Sequence, residues 1–573
     1  MGVLGLWDII TLSGQSRSLT HLAVVDGFDS NASSKRAYRV GIDASIWYKH
    51  AAFSKGGENP ELRLLFFRAV KLAELPLLPL FVFDGRERPK VKRGSKMGKA
   101  GSHALTSGMK EILDAFGFEW RMAPGEAEAE LAYLNRTGII DAIMTDDVDA
   151  FVFGATTIIR NSSLQLSGNK SNPALDSNGK PSSHHVMVFK ASVIATHPGI
   201  GLSRGGMVLF ALLTGGDYDK GVDKFGKTIA HALARCGFGD QLLRACERRQ
   251  EESLHLVLPR WRAAVNMELA TDSCGFLGRT YPRLQLPDAF PDLKLLENYA
   301  TPVCSAKLGR QGGGAMRGTG EMNLGRIAAF CEKYFEWGTR TLIVKRFRDL
   351  LWEAAVIRIL RRAALEADEK EIERRIAAGN MDRHVRGPLR PERRDAVGTP
   401  ATLVKKYLNI SAADLRAQAF ANRGPQGNHA QAIPDPHPLI VKIHSSRQHV
   451  STDKIVEYRL EIAPHQLVDL TRSGIIGKRP DEVAKKKKGG TPPDPLSPLR
   501  MWCPASMLWQ VHPALVEDFE FGAEEKKRKK DERGKGKGKG KNDVNKGKRT
   551  YRGSSFGGGS SFSKDVEMVI DLT

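Results

Sequence analysis

At 573 residues the chain has room for two or three domains with a large core, and its hydrophobic content of 41% excludes a wholly disordered chain. The formal net charge of +22 points to a polyanionic partner, nucleic acid first. No apolar run reaches the roughly 20 residues that cross a bilayer, and the MGxxx[ST] acylation pattern fails at Leu6, so membrane attachment is not expected. Residues 523–573 carry a net +7 and the remainder +15, so the basic character is not confined to the tail. Six cysteines, at 236, 246, 274, 304, 331 and 503, include no CxxC pair. Together with the absence of a signal-peptide pattern they predict reduced thiols, no zinc site, and a nuclear or cytosolic protein.

In chain order, MGVLGLWDII is followed by a polar segment, Ser13 to Lys35, and then by Tyr38-Arg-Val-Gly-Ile-Asp43, a short strand ending on Asp43. Leu77 to Phe83 is a second strand, followed by Asp84 and Gly85, and seven basic residues lie between Arg86 and Lys99. Pro124 suits a helix start, and Glu126, Glu128 and Glu130 follow it. The apolar run Ile139, Ile140, Ala142, Ile143, Met144 reads as a buried parallel strand with Asp146, Asp147 and Asp149 just beyond it. Val208 to Gly216 reads as a further apolar strand that brings Asp217. With helical patterns between them, these segments predict an α/β domain whose largely parallel sheet is flanked by helices.

Seven carboxylates therefore follow strand ends or open a helix: Asp43, Asp84, Glu126, Glu128, Asp147, Asp149 and Asp217. Ligands of such folds sit beyond the carboxyl ends of the strands. Packed together, seven acids repel one another, and hard cations relieve the repulsion. Mg²⁺ prefers oxygen ligands and keeps several waters, so two ions sharing these acids and a substrate phosphate would serve phosphodiester hydrolysis. Helical spacing alone would pair Glu126 with Glu130, which share a face at i,i+4.

The ordered motifs IDAS, VFDG, PGEAEAE, TDDVDAFVFG and GGDY resemble the XPG family of structure-selective nucleases through most of residues 1–340, most like its eukaryotic, fungal-type Holliday junction resolvase branch. The resemblance implies a PIN/XPG-like core, with an N-terminal nuclease region over 1–100, an internal one over 101–218, and a helix-two-turn-helix and helical region over 219–385. It implies a Mg²⁺-dependent endodeoxyribonuclease using two ions, with Mn²⁺ as a substitute, that leaves a 5′ phosphate. It assigns the seven carboxylates as metal ligands, selects Glu128 rather than Glu130 beside Glu126, and leaves out Asp146. Lys92 and Arg93 become candidates to hold the scissile phosphate, with Lys99 next. Lys224, Gly226 and Lys227 become candidate DNA contacts in a turn where relatives hold a monovalent cation such as K⁺, although Asp223 departs from the usual small residue. Trp47 matches a position where relatives stack a base, and a core position is the alternative.

The 39 residues between Asp84 and Pro124 give less room than flap endonucleases use for a helical arch, so a strand without a free end could enter. The resemblance thus implies cleavage of four-way junctions as well as 5′ flaps, with two copies pairing on one junction. A flap or excision-repair nuclease without four-way activity, or a non-catalytic junction-binding scaffold, are the alternatives. Asn161 to His185 reads as an insertion loop with solvated His184 and His185, Gly309 to Gly320 as a flexible loop, and Arg340 to Ala378 as a long helical pattern of mixed charge, solvated by default or else following a DNA arm. A linker near 387–400 precedes a small β unit, 400–521, with strands at Leu439–Ile443, Glu457–Ile462 and from Leu499, and a helix at Ala514–Phe519. It resembles a chromodomain, with Trp502 and Trp509 read as core in preference to a methyl-lysine cage. Residues 522–573 read as a disordered basic tail suited to nuclear targeting, ending in Val569-Ile570-Asp571-Leu572-Thr573, which resembles a SUMO-binding strand.

Overall fold

The computed structural model describes residues 2–89, 91–92, 95–96, 103–160, 166, 172–247, 251–307, 314–318, 320–378, 401–408, 438–481 and 494–537. Among these residues twelve strands fall into three sheets. The large one is built from β1 (Gln15–Ser18), β2 (Tyr38–Asp43), β3 (Leu77–Phe83), β6 (Glu119–Met122), β7 (Ala142–Met144), β8 (Thr157–Arg160) and β9 (His185–Lys190), in the order β1-β9-β8-β7-β2-β3-β6. The five central and edge strands from β8 to β6 are parallel, and β9 and β1 add an antiparallel margin. A two-stranded hairpin, β4 (Val91–Lys92) and β5 (Ser95–Lys96), projects after β3.

β3 shows why the sheet is internal. All seven of its residues are buried; Phe81 and Phe83 enter one apolar core while Leu78, Leu80 and Val82 enter the other. A parallel strand covered by helices on both faces is a continuous hydrophobic run. Parallelism also fixes function, because β2, β3, β6 and β7 all end at the same margin of the sheet and deliver their succeeding residues to one place.

The polar segment from Ser13 to Lys35 is more ordered than its composition suggests. Its start is β1, which pairs with β9, and Leu22–Asp29 forms a wound helical stretch with Leu22, Val24 and Phe28 buried. Val208 to Gly216 is not a strand. Arg204–Thr214 is a helix capped by the Ser203 side chain, with every residue from Gly205 to Leu213 buried. A run that is apolar all round carries no period to separate a buried helix from a buried strand.

Arg340 to Ala378 is largely interior as far as Asp368, and its last turns, Glu369 to Ala378, are mostly exposed. It forms two helices, Arg340–Leu350 and Trp352–Ala377, and the second buries Arg358, Arg361 and Arg362. Arg361 pairs with Glu321 at 2.8 Å and donates to the carbonyls of Lys35 and Gly318 at 3.1 and 2.9 Å. Gly318 thus anchors the described end of the expected flexible loop. Asp368 on the same helix takes both arms of Arg36 at 2.7 Å.

The C-terminal unit is a three-stranded antiparallel sheet, β10 (Ile440–Gln448), β11 (Val456–Ile462) and β12 (Leu499–Pro504). It is docked on the domain that holds the large sheet. Its His465–Ser473 helix packs on the Leu324–Tyr334 helix, where Gly474 lies so close to Gly325 that a β-carbon on it would sit 1.8 Å from the Gly325 carbonyl. Glu332 accepts from the backbone of Ile476, Gly477 and Lys478 at 2.9, 2.6 and 2.9 Å. His185, expected in solvent, is buried: its ring meets Asp453 at 2.9 Å and Ser182 at 2.8 Å, and Ser18 donates from its amide to Asp453 at 2.7 Å. The final helix, Pro513–Lys537, continues well past residue 521, where a tail was expected to begin, and Lys529–Glu525 and Arg528–Glu532 pairs line its surface at i,i+4. The Val569–Leu572 motif, the 387–400 linker and most of the basic repeat lie outside the described residues.

Candidate metal centre and nucleic-acid interface

Each acid is set by a local device. Asp43 ends β2 and caps the next helix, accepting from the Ser45 amide at 2.7 Å. Asp84 follows β3, accepts from the Ala127 amide at 3.0 Å and pairs with Arg88 at 2.7 Å. Gly85 makes that approach possible: its amide donates to the Gly125 carbonyl at 2.7 Å, and a β-carbon there would lie 1.8 Å from the Ala123 carbonyl. Glu126 is the residue before the Ala127–Arg136 helix and Glu128 lies in its first turn, where acids complement the exposed amides. Asp147 accepts from the Asp149 amide at 3.1 Å, and Asp149 in turn from the Val3 amide at 2.8 Å. Asp217 comes from the turn after the Arg204–Thr214 helix.

Lys92, on β4, reaches into this group. It forms an ion pair with Glu126 and stands 3.5 Å from Glu128 and 3.6 Å from Asp217. Asp43, Glu126, Asp147, Asp149 and Asp217 are all buried. Burial, then the charge of Asp84, pushes the Asp43 carboxyl up to about 7. Burial likewise pushes Glu128, Asp147 and Asp149 upward, with neighbouring acids adding to it and Lys92 opposing it. The structure therefore brings all seven acids into one mutually interacting set.

The donor set fits hard divalent ions. It is all carboxylate oxygen, and one buried oxygen, Glu126 Oε1, has an ion pair but no hydrogen bond. No three of the seven, all among the described residues, bring oxygens within 4.8 Å of one another, so the set is wider than a single ion's ligand shell, and Lys92 fills part of its width.

Glu130 and Asp146 belong elsewhere. Glu130 accepts from the Ser305 amide and hydroxyl at 2.7 and 2.6 Å, and Asp146 meets Arg160 at 3.4 Å. Trp47 is interior, 2% exposed and packed edge-on against Phe81 at 5.0 Å, so it cannot stack on a base. Trp502 lies half-buried beneath Arg447, 4.0 Å from its ring, and Trp509 is exposed, so neither is the expected core residue. Lys224, Gly226 and Lys227 are exposed on one turn; Lys224 has φ +69° and Lys227 meets Asp8 at 2.9 Å. Arg93 and Lys99 lie outside the described residues. Sequence reading missed Tyr218, which donates to Glu126, although it stands in the GGDY motif itself. It also missed Gly2 and Val3: a β-carbon on Gly2 would lie 2.1 Å from Asp149 Oδ1.

A parallel sheet covered on both faces, with an acid centre beyond its carboxyl ends, defines an α/β core of the nuclease build. The XPG I-region model matches residues 117–217, and the Holliday junction resolvase Gen1 C-terminal domain model matches residues 439–521. Over these two regions the chain is similar to the XPG-type, junction-resolving nucleases. It is similar to Flap endonuclease GEN homolog 1 of Homo sapiens, 32% identical over 276 residues, and to that of Mus musculus, 30% identical over 280. Those matches cover 44% and 45% of this chain but only 27% of either relative. Among solved structures, the eukaryotic junction-resolving enzyme GEN-1 binding with cesium is 28% identical with a TM-score of 0.62, covering 91% of this chain and 100% of that one. The Holliday junction-resolving enzyme GEN1 in complex with product DNA and Mg²⁺ is 27% identical with a TM-score of 0.61 and the same coverage.

Proposed function

We propose that this protein is a divalent-metal-dependent endodeoxyribonuclease of the nucleus that resolves four-way DNA junctions and cuts 5′ flaps. The observation that carries the proposal is the convergence of seven carboxylates, from five separated segments, around one lysine at the carboxyl margin of the sheet. Asp43, Asp84, Glu126, Glu128, Asp147, Asp149 and Asp217 would hold two Mg²⁺ or Mn²⁺ ions. When bound, such ions supply an activated water and neutralise charge at the scissile phosphate.

The chain's own residues supply position. Tyr218 fixes Glu126, Arg88 fixes Asp84, and the Asp149–Val3 bond closes the far side. The Lys92 amine would exchange its carboxylate partners for a phosphate oxygen of the substrate, with Arg93 and Lys99 beside it. The helix Lys227–Arg235 has no side-chain cap, so its first-turn amides and the exposed Lys224 are open to a DNA phosphate. The turn before it would hold K⁺, since similar solved structures show GEN-1 binding potassium, sodium and cesium.

Four-way activity rests on the segment after Asp84. Its Thr106–Ala115 helix buries Met109, Ile112 and Leu113 against the core, and its Glu119–Met122 strand lies in the sheet. The remainder would be short for an arch of two helices, and a continuous strand would then reach the acids. Two copies would pair on one junction, and Val569–Leu572 would serve as a SUMO contact.

Nicked four-way and flap substrates, compared side by side, test the reading. Paired symmetric cuts on the four-way junction are expected, and flap cutting alone would overturn it. Asp43→Asn and Glu126→Gln should each abolish cleavage and retain junction binding.

A further inference from the structure

Away from the acid centre, Cys236, Glu268 and Cys274 each place one ligand atom within 4.8 Å of the others, the one such group of three among the described residues. Cys236 ends the Lys227–Arg235 helix, Glu268 lies on the Glu251–Thr271 helix, and Cys274 sits in the turn that leaves it. That turn is fixed. Asp272, at φ +50°, accepts from the amides of Leu277 and Gly278 at 3.0 and 3.1 Å, and the Tyr281 amide returns to the Leu269 carbonyl at 2.6 Å.

Glu268 is only 3% exposed. Its oxygens accept from the Ser273 hydroxyl, the Cys274 amide at 2.9 Å and the Cys236 thiol at 4.0 Å, and among the described residues no lysine or arginine pairs with it. A buried carboxylate is ordinarily paired with a cation or coordinates a metal. Two sulfur donors beside it set the preference: thiolates select zinc over magnesium or calcium. Cys274 is exposed, so water can complete a tetrahedral shell.

We propose that Cys236, Glu268 and Cys274 form a zinc site that pins the end of the Lys227–Arg235 helix to the turn after Glu251–Thr271. Sequence reading found no zinc pattern because the two cysteines are not a local pair. Burial, with Cys274, Glu268 and Asp272 nearby, pushes the Cys236 thiol upward, and a bound cation would reverse that. The helix so pinned is the one whose opposite end carries Lys227 and the open amides.

Cobalt distinguishes this site from the acid centre, whose ligands are all oxygen. Full-length protein prepared metal-free and titrated with Co²⁺ should develop sulfur-to-cobalt charge-transfer bands in the near ultraviolet, saturating at about one ion per chain. Zn²⁺ should bleach them at equal stoichiometry and excess Mg²⁺ should not. Cys236→Ser with Cys274→Ser should remove the bands, while Cys246→Ser keeps them. Absence of the bands in the wild-type protein with its thiols titrating as free would overturn the proposal, without any variant having to fold. A Cys236–Cys274 disulfide that persists in protein kept under reductant and excludes metal, read by mass spectrometry, would overturn it equally.

Discussion

Replacing Glu353 with glutamine is expected to stabilise the protein at pH 8 and to leave it little changed at pH 4.5. Glu353 begins the Trp352–Ala377 helix. Burial, then the charge of Glu74, raises its carboxyl from 4.5 to about 7; Lys71 opposes this and Asp349 adds to it. Lys71 is itself committed to Glu74 at 2.9 Å. The folded state therefore holds the Glu353 proton more tightly than the unfolded chain does. Its contribution to stability is full below about pH 4.5 and is lost as pH rises through 7. A displacement of that size corresponds to a ceiling of about 3 kcal/mol at about 1.4 kcal/mol per unit; partial exposure of the side chain reduces the expectation to about 1–2 kcal/mol. Glutamine keeps the shape and removes the titration. Urea unfolding followed by tryptophan fluorescence at pH 4.5, 6 and 8 should show the variant's advantage growing with pH. An advantage that is the same at all three values, or that shrinks with pH, would refute the reasoning.

Arg361→Met leaves Glu321 charged and buried without its partner, and equilibrium unfolding should register a loss of about 3–5 kcal/mol, largely recovered by adding Glu321→Leu. Gly85→Ala drives a methyl into the Ala123 carbonyl, so thermal unfolding should show a loss of about 1–3 kcal/mol, with cleavage falling further as Asp84 and Glu126 part. His185→Ala strands Asp453, and a double-mutant cycle with Asp453→Asn should give a coupling of about 1–2 kcal/mol in urea. Junction affinity should fall steeply with salt, by a logarithmic slope of about −0.9 for each phosphate contacted, and a flat titration would remove the basic-surface argument.

Asp43, Asp84, Glu126, Asp147 and Asp149 were legible in the sequence because each sits near a parallel strand's end or a helix start, whereas Glu128 was chosen over Glu130 by the resemblance and Asp217 follows a helix that had read as a strand. Helix Arg204–Thr214 was not, since its residues are apolar on every side and no period survives. The inner part of Trp352–Ala377 read as a solvated or DNA-facing row because its partners are remote in sequence: Arg361 finds Glu321, and Asp368 finds Arg36. His185 failed for the same reason, its partner Asp453 lying in another domain. Trp47 was ambiguous between a base-stacking and a core position until Phe81 was seen to cover it.

The docking of the C-terminal sheet makes the molecule a fixed gauge. Glu332 grips the backbone after the His465–Ser473 helix, and the Gly325–Gly474 contact leaves no room for sliding. Between residues 378 and 438, the Ala401–Leu408 helix packs on both the Trp352–Ala377 and His465–Ser473 helices and adds to the fixed separation between the acid centre and β10–β12. Whatever that sheet touches is held at a set distance from the acid centre, and the ruler is the interface.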